Sequence, residues 1–145
     1  MHDLPRKLSA DQLAELFEGR TRLVERLAKR EDPLGSAHDV IDELSDEEKL
    51  EALNAHPAIG ARRLSARSAA EQGTNDERST LAELEQLNHA YERRFGFRFV
   101  VFVNRRPKSA IIPILRERLE RTREQELDTA VNELVAIARD RWQRS

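Results

Sequence analysis

The chain has 145 residues, with 25 Lys and Arg against 27 Asp and Glu, and no cysteine. That length suits a single domain over residues 1–145. The near-balanced charge argues against a dedicated nucleic-acid binder, and the missing cysteines exclude disulfides, thiolate metal sites and Cys nucleophiles.

With 36% charged and 39% hydrophobic residues, the chain is lean in core material and has to bury it through amphipathic helices. Ser9 opens a first helix, with Gln12 completing a capping box and Leu13, Leu16 and Phe17 as its apolar stripe. Gly19 interrupts it. Leu23, Val24 and Leu27 carry a second short helix to about Arg30, and Asp32-Pro33-Leu34-Gly35-Ser36 is a turn. Ala37, Val40, Ile41 and Leu44 mark a third helix. Ser45 and Glu48 form another capping box and open a fourth, containing Leu50 and Leu53. The residue before a proline is pushed out of the α region, so this helix ends near Ala55 with His56 at its boundary.

From Pro57 to about Asn75 the pattern is irregular, with a short helical segment expected around Ser68–Gln72. A long helix follows from Asp76 to Arg94, ended by Gly96. Phe97–Val103 is the only β-like stretch, and one such segment cannot build a sheet. Ser109 is the expected cap of a sixth helix running through Leu119, with Pro113 close enough to its start to be tolerated. Thr122 caps the last helix, whose stripe is Leu127, Val131, Leu134, Val135, Ala138 and Trp142. The expected fold is therefore all-α: a single-domain bundle of about seven helices with one extended segment near 97–103.

The longest apolar run, Phe99–Val103, is far too short to span a membrane. The N-terminus lacks the apolar core of a secretory signal, so a cytoplasmic location without membrane partners is the expectation.

Three groups of residues are candidates for chemistry. His56 sits at a helix C-terminus, where the partial negative charge favours imidazolium, and Pro57 fixes the backbone behind it. From spacing alone it reads first as a helix-capping histidine and second as a proton donor. Ser68, Glu71 and Gln72 share one helical face, a hydroxyl, a carboxylate and an amide suited to a polar heterocycle. In a sequence that is 36% charged, an ordinary solvated helix turn is the favoured reading of these residues taken alone. The extended strip around Phe95–Val100 leaves main-chain groups in need of partners, which a ligand or neighbouring backbone can supply. His2, His38 and His89 form no HxxxH, HExxH or HxH pattern, so no metal site is expected. Nucleotide loops and a GxSxG elbow are also missing.

In order, Ala55-His56-Pro57-Ala58-Ile59-Gly60, Ser68-Ala69-Ala70-Glu71-Gln72-Gly73, Leu87-Asn88 with Ala90-Tyr91, and Phe95-Gly96-Phe97-Arg98-Phe99-Val100 resemble one family. That family is 2-oxo-4-hydroxy-4-carboxy-5-ureidoimidazoline (OHCU) decarboxylase, of the ureide pathway of purine breakdown. The resemblance implies an all-α fold, a homodimer, no cofactor, and decarboxylation of OHCU to (S)-allantoin. It implies that His56 and Glu71 are catalytic and that Pro57 shapes the pocket. Ser68 and Gln72 match the polar binding segment. Phe99, Val100, Val101, Phe102 and Val103 match the stretch whose backbone meets the ligand. Where the family commonly has an Arg directly after that stretch, this chain has Asn104, followed by Arg105 and Arg106. Two other readings are a helical protein–protein interaction module without catalytic activity and a nucleic-acid binder using the Arg clusters.

Overall fold

The computed structural model describes residues 7–56 and 75–144. Among these residues there are seven helices and no strand: α1 (Ala10–Phe17), α2 (Arg22–Leu27), α3 (Ala37–Glu43), α4 (Asp46–Ala55), α5 (Asn75–Phe95), α6 (Lys108–Leu119) and α7 (Arg123–Arg144). They form two compact units. One comprises residues 7–56, 100–102 and 127–144; the other comprises residues 75–99 and 103–126.

In the first unit the sequence signals set the helix ends directly. The Ser9 hydroxyl accepts from the Gln12 N–H at 3.1 Å, and the Ser9 N–H donates to the Gln12 side chain at 2.9 Å. Ser45 and Glu48 repeat this pair at 3.2 and 3.0 Å. Lys7 closes the other end of α2, donating to the Ala28 and Arg30 carbonyls at 2.9 and 3.0 Å, where a cation also meets the negative end of the helix. The core is made from Leu13 and Phe17 of α1, Leu23, Val24 and Leu27 of α2, Val40 and Ile41 of α3, Leu53 of α4, and the α7 stripe from Leu127 to Trp142. Arg139 of α7 donates to the Leu34 carbonyl at 2.7 Å, pinning the turn between α2 and α3.

Helix α4 carries a carboxylate on its buried face. The helix buries Glu48, Ala52 and Leu53, while Leu50 is only half-buried. The carboxylate is tolerated there because it accepts from the Ser45 N–H and pairs with Arg26 at 3.0 Å. The backbone bond from Ser45, helped by the Arg26 charge, holds the Glu48 carboxyl below its ordinary value of 4.5. A lowered carboxyl pKa contributes stability at neutral pH that is lost as pH falls through the folded-state value. Glu48→Gln is therefore expected to flatten the acid limb of a stability–pH curve, measured by urea denaturation between pH 7 and pH 3.

In the second unit α5 pairs with α6. Gly96 closes α5 with φ +80° and an N–H to the Glu92 carbonyl at 2.9 Å, the left-handed residue that helix ends favour. Arg123 donates to the Phe95 carbonyl at 3.0 Å on the same helix end. A Cβ at Gly96 would meet nothing within 4 Å, so only the backbone dihedral resists a side chain. Gly96→Ala is expected to cost about 1–2 kcal/mol, read from the shift in urea midpoint.

The start of α6 corrects the expected cap. Pro107, not Ser109, occupies the N-cap position, and no side chain caps it. Pro107 has φ −65°, the value its ring imposes, and its carbonyl accepts from Ala110 at 2.9 Å. Ser109 therefore lies inside the first turn. Pro113 lies further into the helix, where its nitrogen cannot donate to the Ser109 carbonyl. Thr122 does cap α7, exchanging bonds with Gln125 at 3.1 and 3.2 Å.

Tyr91, Phe95, Phe97 and Phe99 form the aromatic core of this unit, with Tyr91–Phe95 and Tyr91–Phe99 ring centroids 4.6 and 5.2 Å apart. At its centre Glu126 is fully buried. It accepts from the Tyr91 hydroxyl at 2.6 Å, Arg118 Nε at 2.7 Å and Arg121 Nη1 at 3.0 Å. The Arg118 guanidinium also lies 4.6 Å from the centroid of the Phe99 ring. Burial, reinforced by the bond to Glu126, pushes the Tyr91 phenol upward, so it stays protonated as the donor.

Candidate active site

His56 closes α4. Its N–H donates to the Leu53 carbonyl at 3.2 Å, and its backbone is extended at φ −80°, ψ 135°. That is the conformation a following proline demands, and Pro57 follows it. The residue is half-buried, and its Nδ1 is shielded from solvent. The imidazole is therefore carried on a fixed helix end rather than on a mobile tail.

Val100, Val101 and Phe102 belong to the same compact unit as His56. Their stretch has no regular secondary structure, as expected, and the Phe102 N–H donates to Glu133 of α7 at 3.4 Å. Val100 and Val101 are buried and Phe102 is half-buried. Phe99 and Val103, the two ends of the stretch, belong to the second unit. The Phe99 ring is occupied by the aromatic core and by Arg118, so what Phe99 can offer a ligand is main chain. Pro57, Ser68, Glu71 and Gln72 lie outside the described residues, as does the helical segment expected around Ser68–Gln72.

The turn after the stretch is built from left-handed residues. Asn104 has φ 49° and Arg105 φ 65°. Asparagine tolerates this region; arginine does so at a cost. Arg106 turns back, its N–H and Nε donating to the Val103 carbonyl at 3.0 and 2.9 Å. Arg105 is exposed. Of the other histidines, His38 and His89 are exposed, and His89 lies 4.0 Å from Glu85 one turn before it. Among the described residues no three His, Asp or Glu side chains are grouped to hold a metal ion. None of the helices among them is long and apolar enough to cross a membrane.

The sequence profile of OHCU decarboxylase matches residues 2–143. The chain belongs to the OHCU decarboxylase family. Within it, the chain is 30% identical over 140 residues to the 2-oxo-4-hydroxy-4-carboxy-5-ureidoimidazoline decarboxylase of Haloferax volcanii, covering 88% of this chain and 83% of that protein. It is also 30% identical over 146 residues to a uric acid degradation bifunctional protein of Bacillus subtilis, covering 90% of this chain but 29% of that longer protein. Among solved structures, an OHCU decarboxylase crystallised in the presence of (S)-allantoin aligns with a TM-score of 0.73 at 26% identity, covering 90% of this chain and 94% of that one. Membership of this carboxy-lyase family favours an enzyme over a helical interaction module.

The buried Tyr91–Glu126–Arg118 cluster was not legible from the motifs, although Tyr91 stood among them. A signal was present. Glu126 shares a helical row with buried Ala130 and Leu134, and Arg118 shares one with buried Ile111 and Leu115. A charge on an apolar row points to a buried partner.

Proposed function

We propose that this chain carries out its family's reaction with His56 as the proton donor. The reaction is decarboxylation of OHCU to allantoin in urate degradation. The observation that carries the role of His56 is its fixing at the end of α4, in an extended backbone, in the same compact unit as Val100–Phe102.

The chemistry follows from the substrate. Cleavage of the bond to the carboxyl group releases CO2 and leaves its electron pair on the ring. Conjugation delocalises that pair, so the substrate is its own electron sink and the reading needs no cofactor. A first proton then has to reach the carbon bearing the ureido group from one face, and the hydroxyl proton passes to the ring nitrogen that received the electron pair as the ring carbonyl forms. His56 as imidazolium supplies the first proton, and the carbonyl end of α4 favours a cation there. Such a proton transfer contributes about 10²–10⁴-fold. In this reading Glu71 keeps the imidazole charged or accepts from the substrate, Ser68 and Gln72 orient the ring, and Pro57 shapes the pocket. Main-chain N–H groups of the 99–103 stretch hold the ring oxygen that gains charge.

The (S) hand of the product, a single domain over residues 1–145, a homodimer and a cytoplasmic location complete the proposal. The family match over residues 2–143 supports the single domain; the sequence reading supports the others. The test is to add freshly generated OHCU to the purified chain and follow its loss by absorbance and the product by circular dichroism. Loss well above the spontaneous rate, with optically active allantoin formed, is expected. Loss at the spontaneous rate would refute the reading.

A further inference from the structure

We infer that Gly19 is a positioning residue for His56, acting through Ala55. The inference rests on the proposed role of His56 as proton donor. Gly19 lies in the turn between α1 and α2, and a Cβ placed on it would come within 3.2 Å of the Ala55 Cβ. Ala55 is the last residue of α4 and the one before His56. The turn does not need glycine for its dihedral. The left-handed residue there is Glu18, at φ 66°, whereas Gly19 is not left-handed. What glycine supplies is close approach of one backbone segment to the end of the helix that carries the imidazole.

The turn itself is held firmly from behind. Arg141 of α7 donates to the Leu16 carbonyl at 3.1 Å and pairs with the Glu18 carboxylate at 2.6 Å. From the same segment, the Arg22 N–H donates to Glu51 at 2.8 Å and Arg26 pairs with Glu48 at 3.0 Å. At about 100° per residue, Glu48, Glu51, Ala52 and Ala55 fall on one face of α4. Residues 19–26 therefore grip that face at three levels, and the last grip is at the base of His56. Arg141 ties the turn to α7, so in this inference the strain of a methyl group at position 19 falls on the other side of the contact. The methyl pushes on Ala55 by a few tenths of an ångström, and the imidazole moves with it. Misplacement of a catalytic group by even this much lowers rate more than binding.

The experiment measures kcat, KM and thermal midpoint for Gly19→Ala in two backgrounds, wild type and Ala55→Gly, with His56→Asn alongside. Gly19→Ala is expected to lower kcat by about tenfold with KM unchanged. In the Ala55→Gly background, where the opposing methyl is gone, the same substitution is expected to change kcat less than about twofold. A kcat unaffected by Gly19→Ala, or a loss equal in both backgrounds, overturns the positioning role. If His56→Asn keeps full turnover, the His56 reading itself fails. If His56→Asn is inactive and Gly19→Ala is normal, only the positioning role fails. Should Gly19→Ala not fold, Glu51→Ala and Glu51→Gln decide. Loss of kcat in the first and its recovery in the second, which retains an acceptor for the Arg22 N–H, support the grip; equal activity in both overturns it.

Discussion

His56→Asn is expected to fold normally and to lose turnover by about 10²–10⁴-fold. Asparagine keeps a polar side chain of similar reach but cannot carry a proton to the ring carbon near neutral pH. The fold should tolerate the change, because the backbone of His56 is set by the end of α4 and by the following proline, not by the ring. Its N–H to the Leu53 carbonyl, 3.2 Å, survives the substitution. The check is steady-state decarboxylation of fresh OHCU beside a thermal melt. A melt within a few degrees of wild type with collapsed kcat fits the role. An unchanged kcat in a folded variant removes it. If the ring served only as a structural cap, the pattern would be the reverse: turnover largely kept and the melt lowered.

Glu126→Ala is expected to cost about 3–5 kcal/mol, the largest stability effect of any single change considered. It removes the acceptor shared by Tyr91, Arg118 and Arg121 and leaves Arg118, only 5% exposed, as a buried cation without its carboxylate. The Tyr91 hydroxyl loses its bond at the same time. The cost should be mostly that of stranding charge, not the worth of the pair itself. A double variant, Glu126→Leu with Arg118→Met, is therefore expected to recover much of the loss, since an apolar replacement of a buried pair is often near neutral. Recovery should stay incomplete because the stacking of Arg118 on Phe99 is lost as well. Urea denaturation of the three proteins measures both effects. A Glu126→Ala loss under about 1 kcal/mol would show that this cluster contributes little beyond an exposed ion pair.

Local signals decided which parts of the fold could be read from the chain. Ser9 with Gln12, Ser45 with Glu48 and Thr122 with Gln125 are short-range pairs, and each fixed a helix start at the expected residue. Pro57 forced the end of α4 onto His56 for the same reason: the cause sits one residue away. The apolar row from Leu127 to Trp142 gave α7 its buried face. The misplaced start of α6 shows the limit of such pairs. Ser109 has the chemistry of a cap, but Pro107, its φ held at −65° by the ring, takes the N-cap position two residues earlier without a side-chain bond.

Long-range pairings were not legible. Glu126 meets a tyrosine 35 positions earlier in the chain, and Arg141 meets the end of α1, 125 positions away. In a sequence that is 36% charged, such side chains read as solvated faces until the packing shows them buried. The closeness of Gly19 to Ala55 is of the same kind, since a glycine between two helices reads as a plain breaker. Of the candidate site, His56 and Val100–Phe102 were named from motifs and share one unit. The motifs gave no hint that Phe99 would be held by Arg118.

The handedness of the product tests the central claim most directly. Fresh OHCU is allowed to react fully with wild type and with His56→Asn, and the allantoin is read by circular dichroism. If His56 delivers the proton, wild type yields one enantiomer and the variant yields the racemate at the uncatalysed rate. A folded His56→Asn protein that still forms one enantiomer at the wild-type rate would contradict the account.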